Sequence, residues 1–280
     1  MGRLYALDPA MPVLLRPDGA VQIGWDPRRA VLVRPPDGVS STDLAALLRG
    51  LQIPLDLGAV QQLAGTHGLR DTAALDDLLD ALVSAGVVRH RTRRPAPRAL
   101  SIRVHGCGPL SEVLVDALRC SGARVAQSSH ANAVVSAAGV DMVVLADYLV
   151  ADPRLVRDLH AIGVPHLPVR VRDGAGLVGP LVIPGVTSCL GCADLHRADR
   201  DAAWPAVAAQ LRDVTGTADH PTVLATAAVA LGQLQRIITA VRGAEPAGEP
   251  PATLNTTLEV DVSKNTISAR RWSRHPRCQC

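Results

Sequence analysis

Four of the six cysteines form two tight pairs, a C-x-x-C pair at Cys189 and Cys192 and a C-x-C pair at Cys278 and Cys280. Zn²⁺ prefers four thiolate or imidazole ligands in a tetrahedron, and C-x-x-C places two thiolates on one turn. The N-terminal residues lack the basic start and continuous apolar stretch of a signal peptide, so we expect a reducing, cytoplasmic location. Thiols in such a compartment are more often metal ligands than disulfides. We therefore predict a closed structural zinc site, with Cys189, Cys192, Cys278 and Cys280 as its ligands.

The other two cysteines and two nearby histidines leave alternatives open. His196 and His275 are candidate ligands if one thiolate is not used, and any pair of cysteines can also simply be buried. Cys107 and Cys120 are predicted to lie in the core of the first βα unit. Cys107 is also placed where a helix N-terminus would make a thiol reactive, which is the less favoured interpretation.

A glycine turn, HGCGPLS, has Gly106 and Gly108 in the first two positions of a G-x-G-x-x-G fingerprint. In the working motif, backbone N–H groups approach a phosphate at a helix N-terminus. Ser111 takes the position of the third glycine, Pro109 removes one donor, and no carboxylate follows before Asp141. Two interpretations remain. The pattern favours a tight strand-to-helix turn without a ligand over a degenerate nucleotide site on Gly106, Gly108 and Ser111.

The run LHRADRDAAWP, residues 195–205, places histidine, arginine and aspartate directly after the second cysteine. Such a run could face a groove, but it more often begins a solvated helix, here anchored by Trp204, and we favour the second interpretation. The sequence motifs of serine hydrolases, HExxH metalloproteases, Walker-type nucleotide loops and EF-hands are missing. The sequence therefore predicts no catalytic residue.

The composition argues against several classes of function. The formal net charge is +3, and 28 of the 29 basic residues are arginine, so Lys264 is the one lysine available to a mechanism. A chain so close to neutral gives no electrostatic argument for nucleic acid. The apolar run over residues 223–241 is interrupted by Gln233, Gln235 and Arg236, which favours a buried helix over a membrane span.

A composition break at RHRTRRPAPRAL, residues 89–100, predicts a linker between two domains, over residues 1–95 and 96–280. Before the break, two strand-like runs flank Pro17-Asp18-Gly19 as in a hairpin, and three helical patterns follow. These elements predict a small winged-helix-like α+β domain. The third helical pattern carries four aspartates and no basic residue, which argues against DNA and for a peptide or protein partner.

After the break, strand-like runs alternate with helical patterns. The run ALSIRVHGCG enters the glycine turn, PLSEVLVDALRCSG has the apolar spacing of a helix, and DMVVLAD is typical of a buried strand. A further helix and strand follow in PRLVRDLHAIG and HLPVRV. This alternation predicts an α/β fold with a Rossmann-like, doubly wound and mostly parallel sheet.

The order of these motifs resembles a known superfamily. A glycine turn, D-x-V-V-x-A-D, then GPLVIPGVTSCLGC and a terminal HPRCQC are similar to the ThiF-type, ubiquitin-activating-enzyme-like superfamily. The closer likeness is to the cyclodehydratase-associated proteins of thiazole/oxazole-modified peptide biosynthesis. That resemblance implies a peptide clamp over residues 1–95, a ThiF-like domain over 96–280 with zinc on the two cysteine pairs, and a homodimer. It also implies that a separate YcaO-type partner handles ATP.

The departures from the superfamily concern its nucleotide chemistry. The ribose-binding acid is missing, Pro109 and Ser111 alter the glycine loop, and Lys264 lies far from the position of the superfamily's lysine. Adenylyl transfer depends on positive charge placed on the leaving phosphates. The resemblance therefore implies a zinc-stapled, non-adenylating scaffold for which ATP is not expected. The alternatives are an adenylating enzyme with a degenerate nucleotide loop and a winged-helix transcriptional regulator.

Overall fold

The computed structural model describes residues 3–92, 99–129, 139–241 and 250–280. The chain forms two compact units, unit 1 over Met1–Ala96 and unit 2 over Pro97–Cys280. Each unit has its own hydrophobic core.

The described residues of unit 1, 3–92, form two small antiparallel sheets and three helices. In chain order its elements are β1 (Arg3–Leu7), β2 (Val13–Leu15), β3 (Val21–Ile23), β4 (Val31–Val33), α1 (Ser41–Gly50), β5 (Leu55–Asp56), α2 (Leu57–Thr66), α3 (Thr72–Ser84) and β6 (Val88–Thr92). One sheet has the order β5-β1-β6 and the other the order β2-β3-β4. The winged-helix character of this unit stays a prediction.

Local sequence signals account for most of unit 1. Gly19, at φ +80°, closes the expected β2–β3 hairpin, because glycine adopts this left-handed conformation without a Cβ penalty. Ser40 and Asp71 cap α1 and α3 by accepting backbone N–H groups. The linker prediction is wrong at its start, because Arg89–Thr92 belongs to β6, which pairs with β1. The rest of that linker falls mainly on residues 93–98, which lie outside the described residues.

Unit 2 contains one seven-stranded sheet and five helices among the described residues. Its elements are β7 (Ser101–His105), α4 (Pro109–Cys120), β8 (Arg124–Ser128), β9 (Met142–Ala146), α5 (Pro153–Ala161), β10 (His166–Arg172), β11 (Ala175–Val178), α6 (Leu190–Ala198), α7 (Trp204–Leu211), α8 (His220–Val241), β12 (Thr256–Asp261) and β13 (Thr266–Arg271).

The sheet has the order β13-β12-β11-β10-β9-β7-β8 and is mixed. Strands β8, β7, β9 and β10 pair in parallel, which confirms the Rossmann-like α/β prediction, whereas β10 to β13 pair antiparallel. The change of direction comes from Asp173 and Gly174, both at positive φ, which join β10 to β11 in a two-residue hairpin. So short a connection can only join antiparallel strands.

Helices cover the two faces of this sheet. Met142, Val144 and Ala146 of β9 pack in the core with α4 and α8, whereas Val143 and Leu145 pack with α5 and the start of α6. Helix α8 is the one helix among the described residues that is long and apolar enough to cross a membrane. Its buried side chains belong to the core of unit 2, so its apolar character is weak evidence for a membrane span.

Candidate metal centre and glycine turn

The structure brings the four predicted cysteine ligands together. Their Sγ atoms all lie within 4.8 Å of one another. Individual separations are 3.8 Å between Cys189 and Cys192, 3.5 Å between Cys189 and Cys278, and 3.4 Å between Cys192 and Cys280. Tetrahedral zinc with bonds of about 2.3 Å requires sulfur atoms about 3.8 Å apart. The donor set and its spacing therefore fit a divalent metal such as zinc.

Local structure positions the first pair at the start of α6. Cys189 is the N-cap residue, and its Sγ accepts the backbone N–H of Cys192 at 3.4 Å. A helix N-terminus carries partial positive charge, which favours thiolates at this position. The second pair lies in the chain after β13, 88 to 89 residues further on.

The four thiols cannot all ionise without a cation. Burial opposes ionisation of Cys192, but hydrogen bonds from the backbone of His275 and Cys189 and from the thiols of Cys280 and Cys278 outweigh it, and the pKa of Cys192 falls to about 7. Burial raises the pKa of Cys189, and the neighbouring thiolate adds to that increase. A bound divalent ion would supply the charge that lets all four lose their protons.

Polar contacts also hold the C-terminal tail against α6. Asp199 accepts a hydrogen bond from His275 Nε2 at 2.8 Å and pairs with Arg277. His196 Nε2 lies 3.2 Å from the hydroxyl of Ser273. The two histidines considered as substitute ligands are thus engaged in contacts of the tail.

The prediction that Cys107 and Cys120 lie in the core is wrong, because both are exposed. Cys107 lies in the turn that precedes α4, and Cys120 is the last residue of that helix. Core positions of α4 are instead filled by leucine, as at Leu114 and Leu118.

The glycine turn is filled by a carboxylate of the protein itself. Asp147, directly after β9, accepts the backbone N–H groups of Leu110 and Ser111 at 3.0 and 3.3 Å. A Cβ atom on Gly106 would lie 2.7 Å from Asp147 Oδ2, and one on Gly108 would lie 2.8 Å from Oδ1. The glycines thus allow the close approach of Asp147 to the N-terminus of α4.

The remaining contacts of the turn are also internal. The hydroxyl of Ser111 donates to the carbonyl oxygen of Gly108 at 2.8 Å. Asp147 is only 1% exposed, and burial raises the pKa of its carboxyl although two N–H groups oppose the increase. Asp147 was not predicted from the sequence, because the dinucleotide fingerprint places its acid at the end of β8, whereas Asp147 follows β9. The signal available was an aspartate at the end of a buried strand, DMVVLAD.

A small cleft lies beside this turn, at the carboxyl ends of β7 and β9, where open α/β sheets bind ligands. Its volume is about 40 Å³, and His105, Tyr148, Arg170 and Arg212 contribute to its lining. Burial lowers the pKa of His105, with a contribution from Arg103. Small-molecule pockets usually measure roughly 300–1,000 Å³, so the cleft is far too small for a nucleotide.

The charged run after the second cysteine does more than begin a helix. Arg197 and Arg200, with Trp204, line a cavity of about 790 Å³ on the face of the sheet covered by α6. The groove interpretation, which the sequence pattern did not favour, therefore describes these three side chains better.

No protein-family model and no curated protein matches the sequence. Solved structures do match it. A heterocyclase in complex with substrate and cofactor superposes with a TM-score of 0.65 at 16% identity, over 99% of this chain and 39% of that chain. The heterocyclase TruD gives a TM-score of 0.65 at 15% identity, over 99% and 42%. The Escherichia coli protein MccB in complex with MccA-N7isoASN gives 0.60 at 13% identity, over 99% of both chains.

The chain has a ThiF-like fold. The likeness supports the resemblance to the ThiF-type superfamily at the level of the fold. The chain spans about two fifths of the length of the heterocyclases and nearly the whole of MccB.

Proposed function

We propose that the protein is a zinc-stapled, non-adenylating scaffold that binds a peptide through residues 1–95 and presents it to a YcaO-type catalytic partner. The observation that carries the binding half is an exposed apolar sheet face with an open edge in unit 1. Binding a peptide in this way requires no catalytic group, in keeping with the absence of a predicted catalytic residue.

The binding face lies on the β2-β3-β4 sheet. Strand β4 pairs only with β3 among the described residues, so its other edge is free to accept an added strand. Leu14, Gln22 and Leu32 lie in one cross-strand row, and the two leucines are 38% and 54% exposed. Trp25, two residues after β3, is 79% exposed. Strand addition gains affinity from main-chain hydrogen bonds and specificity from alternate side chains, and this surface offers both.

Two of the structural neighbours are consistent with a peptide ligand. One heterocyclase was solved with its substrate, and MccB was solved with N-formylated MccA. This chain covers about two fifths of each matched heterocyclase, so more than half of those proteins has no counterpart in it. We assign the catalytic role of that remaining part to a separate YcaO-type partner. A homodimer and a cytoplasmic location are part of the same proposal.

The carboxylate that fills the glycine turn supports the proposal that the protein does not adenylate. Asp147 takes the N–H groups that a phosphate would need, and a nearby carboxylate repels phosphate. Zinc on Cys189, Cys192, Cys278 and Cys280 would be a closed site without a position for water, so its contribution is structural.

Substitution of Leu32 tests the peptide-binding face. Peptides are selected from a random display library on the full chain, and their affinities are then measured for Leu32→Asp and for Ile53→Asp. Both residues are exposed apolar side chains of unit 1, but Ile53 lies outside the sheet. We expect Leu32→Asp to weaken binding at least tenfold and Ile53→Asp less than twofold. Equal affinities in the two variants would sink the proposal.

The adenylating alternative requires the small cleft lined by Arg170 and Arg212 to open, because its present volume of about 40 Å³ excludes a nucleotide. Mg²⁺-dependent exchange of pyrophosphate into ATP, lost in Arg170→Gln, would establish it. The fold neighbours give no support to a winged-helix regulator.

A further inference from the structure

The cavity of about 790 Å³ in unit 2 is unusually rich in arginine. Seven of its lining residues are arginines and three are aspartates, which gives the wall a formal charge of +4. It lies on the sheet face covered by α6 and α7, and all of its lining residues belong to unit 2. The glycine turn does not line it.

Two of the arginines come from β10. Val169 and Val171 of this strand are buried in the core, so the side chains of Arg170 and Arg172 project from the opposite face. Arg170 donates from Nη1 to the carbonyl oxygen of Leu149 at 3.0 Å and forms no ion pair with any described residue. Burial lowers its pKa to about 10, with Arg197 contributing, so the side chain stays charged at neutral pH. A half-buried cation with no carboxylate in ion-pair distance is costly and therefore marks a candidate site for an anion.

Arg197, Trp204 and Arg270 of the lining belong to a stack of indoles and guanidiniums. The Arg197 guanidinium lies 5.1 Å from the Trp204 ring and 5.0 Å from the Trp272 ring, and that of Arg270 lies 4.4 Å from Trp272. Asp194 neutralises Arg197, with an oxygen 2.9 Å from its Nη1. Cation–π contacts of this kind hold guanidiniums in fixed positions.

Of the seven lining arginines, Arg172 and Arg197 form ion pairs, and the other five have no carboxylate in ion-pair distance within the described part of the chain; Arg170, Arg200 and Arg270 are three of these five. Arg170 is half-buried at the base, whereas Arg200 and Arg270 are exposed at the rim. Burial lowers the pKa of Arg270, and the positive charges of Arg200 and Arg197 lower it further. An anionic ligand would relieve this repulsion.

The distribution of charge favours an extended ligand. The three guanidiniums come from β10, the segment after α6, and β13, and buried apolar side chains such as Leu177 and Leu190 line the same cavity. A single phosphate is usually held by convergent N–H groups at one point. Carboxylates spaced along a peptide, with apolar residues between them, match separate arginines around an apolar base.

We infer that this cavity binds an acidic, partly apolar segment of the peptide that unit 1 recognises, through Arg170, Arg200 and Arg270. The inference rests on the proposed peptide-binding function and adds a second subsite with its own charge preference. The positive cavity would speed the encounter and select acidic peptides.

A synthetic probe tests the subsite without the natural peptide. The probe is a fluorescein-labelled, amidated hexapeptide of alternating glutamate and leucine, and its glutamine–leucine counterpart serves as the uncharged control. The full chain is compared with R200Q/R270Q and with R119Q/R154Q. The control pair removes two exposed arginines of the same unit that lie outside the cavity.

We expect R200Q/R270Q and the uncharged peptide each to weaken binding at least tenfold, and R119Q/R154Q to change it less than twofold. Equal losses in both double variants would mean a general charge effect and would overturn the inference. So would inorganic pyrophosphate that binds with the same arginine dependence and displaces the probe, because the cavity would then be a phosphate site. The Leu32→Asp variant should bind this probe with the same affinity as the unsubstituted chain does. The experiments on Leu32 and on the cavity arginines therefore test the peptide-binding face and the cavity subsite separately.

Discussion

At the scale of single residues, His166 carries a pH dependence that its surroundings dictate. The ring is fully buried, its Nδ1 lies 3.1 Å from the carbonyl oxygen of Val164, and its Nε2 has no partner. Burial, with a contribution from His160, lowers the pKa from 6.5 to about 4. Between these two values the unfolded chain binds a proton that the folded chain rejects. Stability from the neutral ring is therefore complete above pH 6.5 and is lost as the pH falls towards 4.

The substitution His166→Leu removes this proton equilibrium and keeps an apolar side chain in the core. We expect the free energy of unfolding of the unsubstituted chain, relative to the variant, to fall by about 3 kcal/mol between pH 7 and pH 4. Urea unfolding of both proteins at several pH values measures this difference. Any loss of stability at low pH that comes from the two cysteine pairs occurs in both proteins and therefore cancels. A difference that does not vary with pH would contradict the assignment.

At the scale of elements, the start of α4 tests whether the glycine turn serves structure or a nucleotide. A Cβ on Gly108 would approach Asp147 Oδ1 to 2.8 Å and Thr215 Cγ2 to 3.0 Å. We expect Gly108→Ala to destabilise the protein by about 1–3 kcal/mol with no nucleotide present, because both neighbours would have to move. Gly232 in α8 has nothing within 4 Å of its added Cβ, so Gly232→Ala should stabilise by about 0.5–1 kcal/mol. Denaturant midpoints give both values, and an unaffected Gly108→Ala would speak for a nucleotide role.

Elements defined by local patterns were predictable, and those defined by distant partners were not. The apolar spacing of α4 and the hairpin at Gly19 are written in a few neighbouring residues. Strand β1 was missed because its partner β6 lies some 85 residues further along the chain. The four cysteines were predictable since thiol chemistry restricts their role. The arginines of β10 were recognised only as part of a strand, because the sequence does not say that α6 and α7 leave open space above them.

At the scale of the whole molecule, the metal site connects chemistry that is far apart in the chain. Cys189 and Cys192 begin α6, which carries Arg197, while Cys278 and Cys280 end the tail that follows Trp272. The four thiols therefore join the helix that carries Arg197 to the segment that follows Trp272. A metal bound there would hold the Arg197–Trp272 contact of 5.0 Å in place.

Loss of one ligand should accordingly change both stability and binding. We expect Cys278→Ser to lower the zinc content from about one ion per chain to near zero. The free energy of unfolding should fall by at least about 3 kcal/mol, which is a fraction of the roughly 10–16 kcal/mol with which structural sites bind zinc. The affinity for the glutamate–leucine probe should fall at least tenfold, because α6, which carries Arg197 and precedes Arg200, would lose its attachment to the tail. Cys120→Ser makes the same atomic change at an exposed thiol and should leave all three quantities unaltered. Metal analysis, urea unfolding and fluorescence anisotropy measure them. A metal-free protein that is equally stable and binds the probe normally would show that the cysteine cluster neither binds zinc nor supports the cavity.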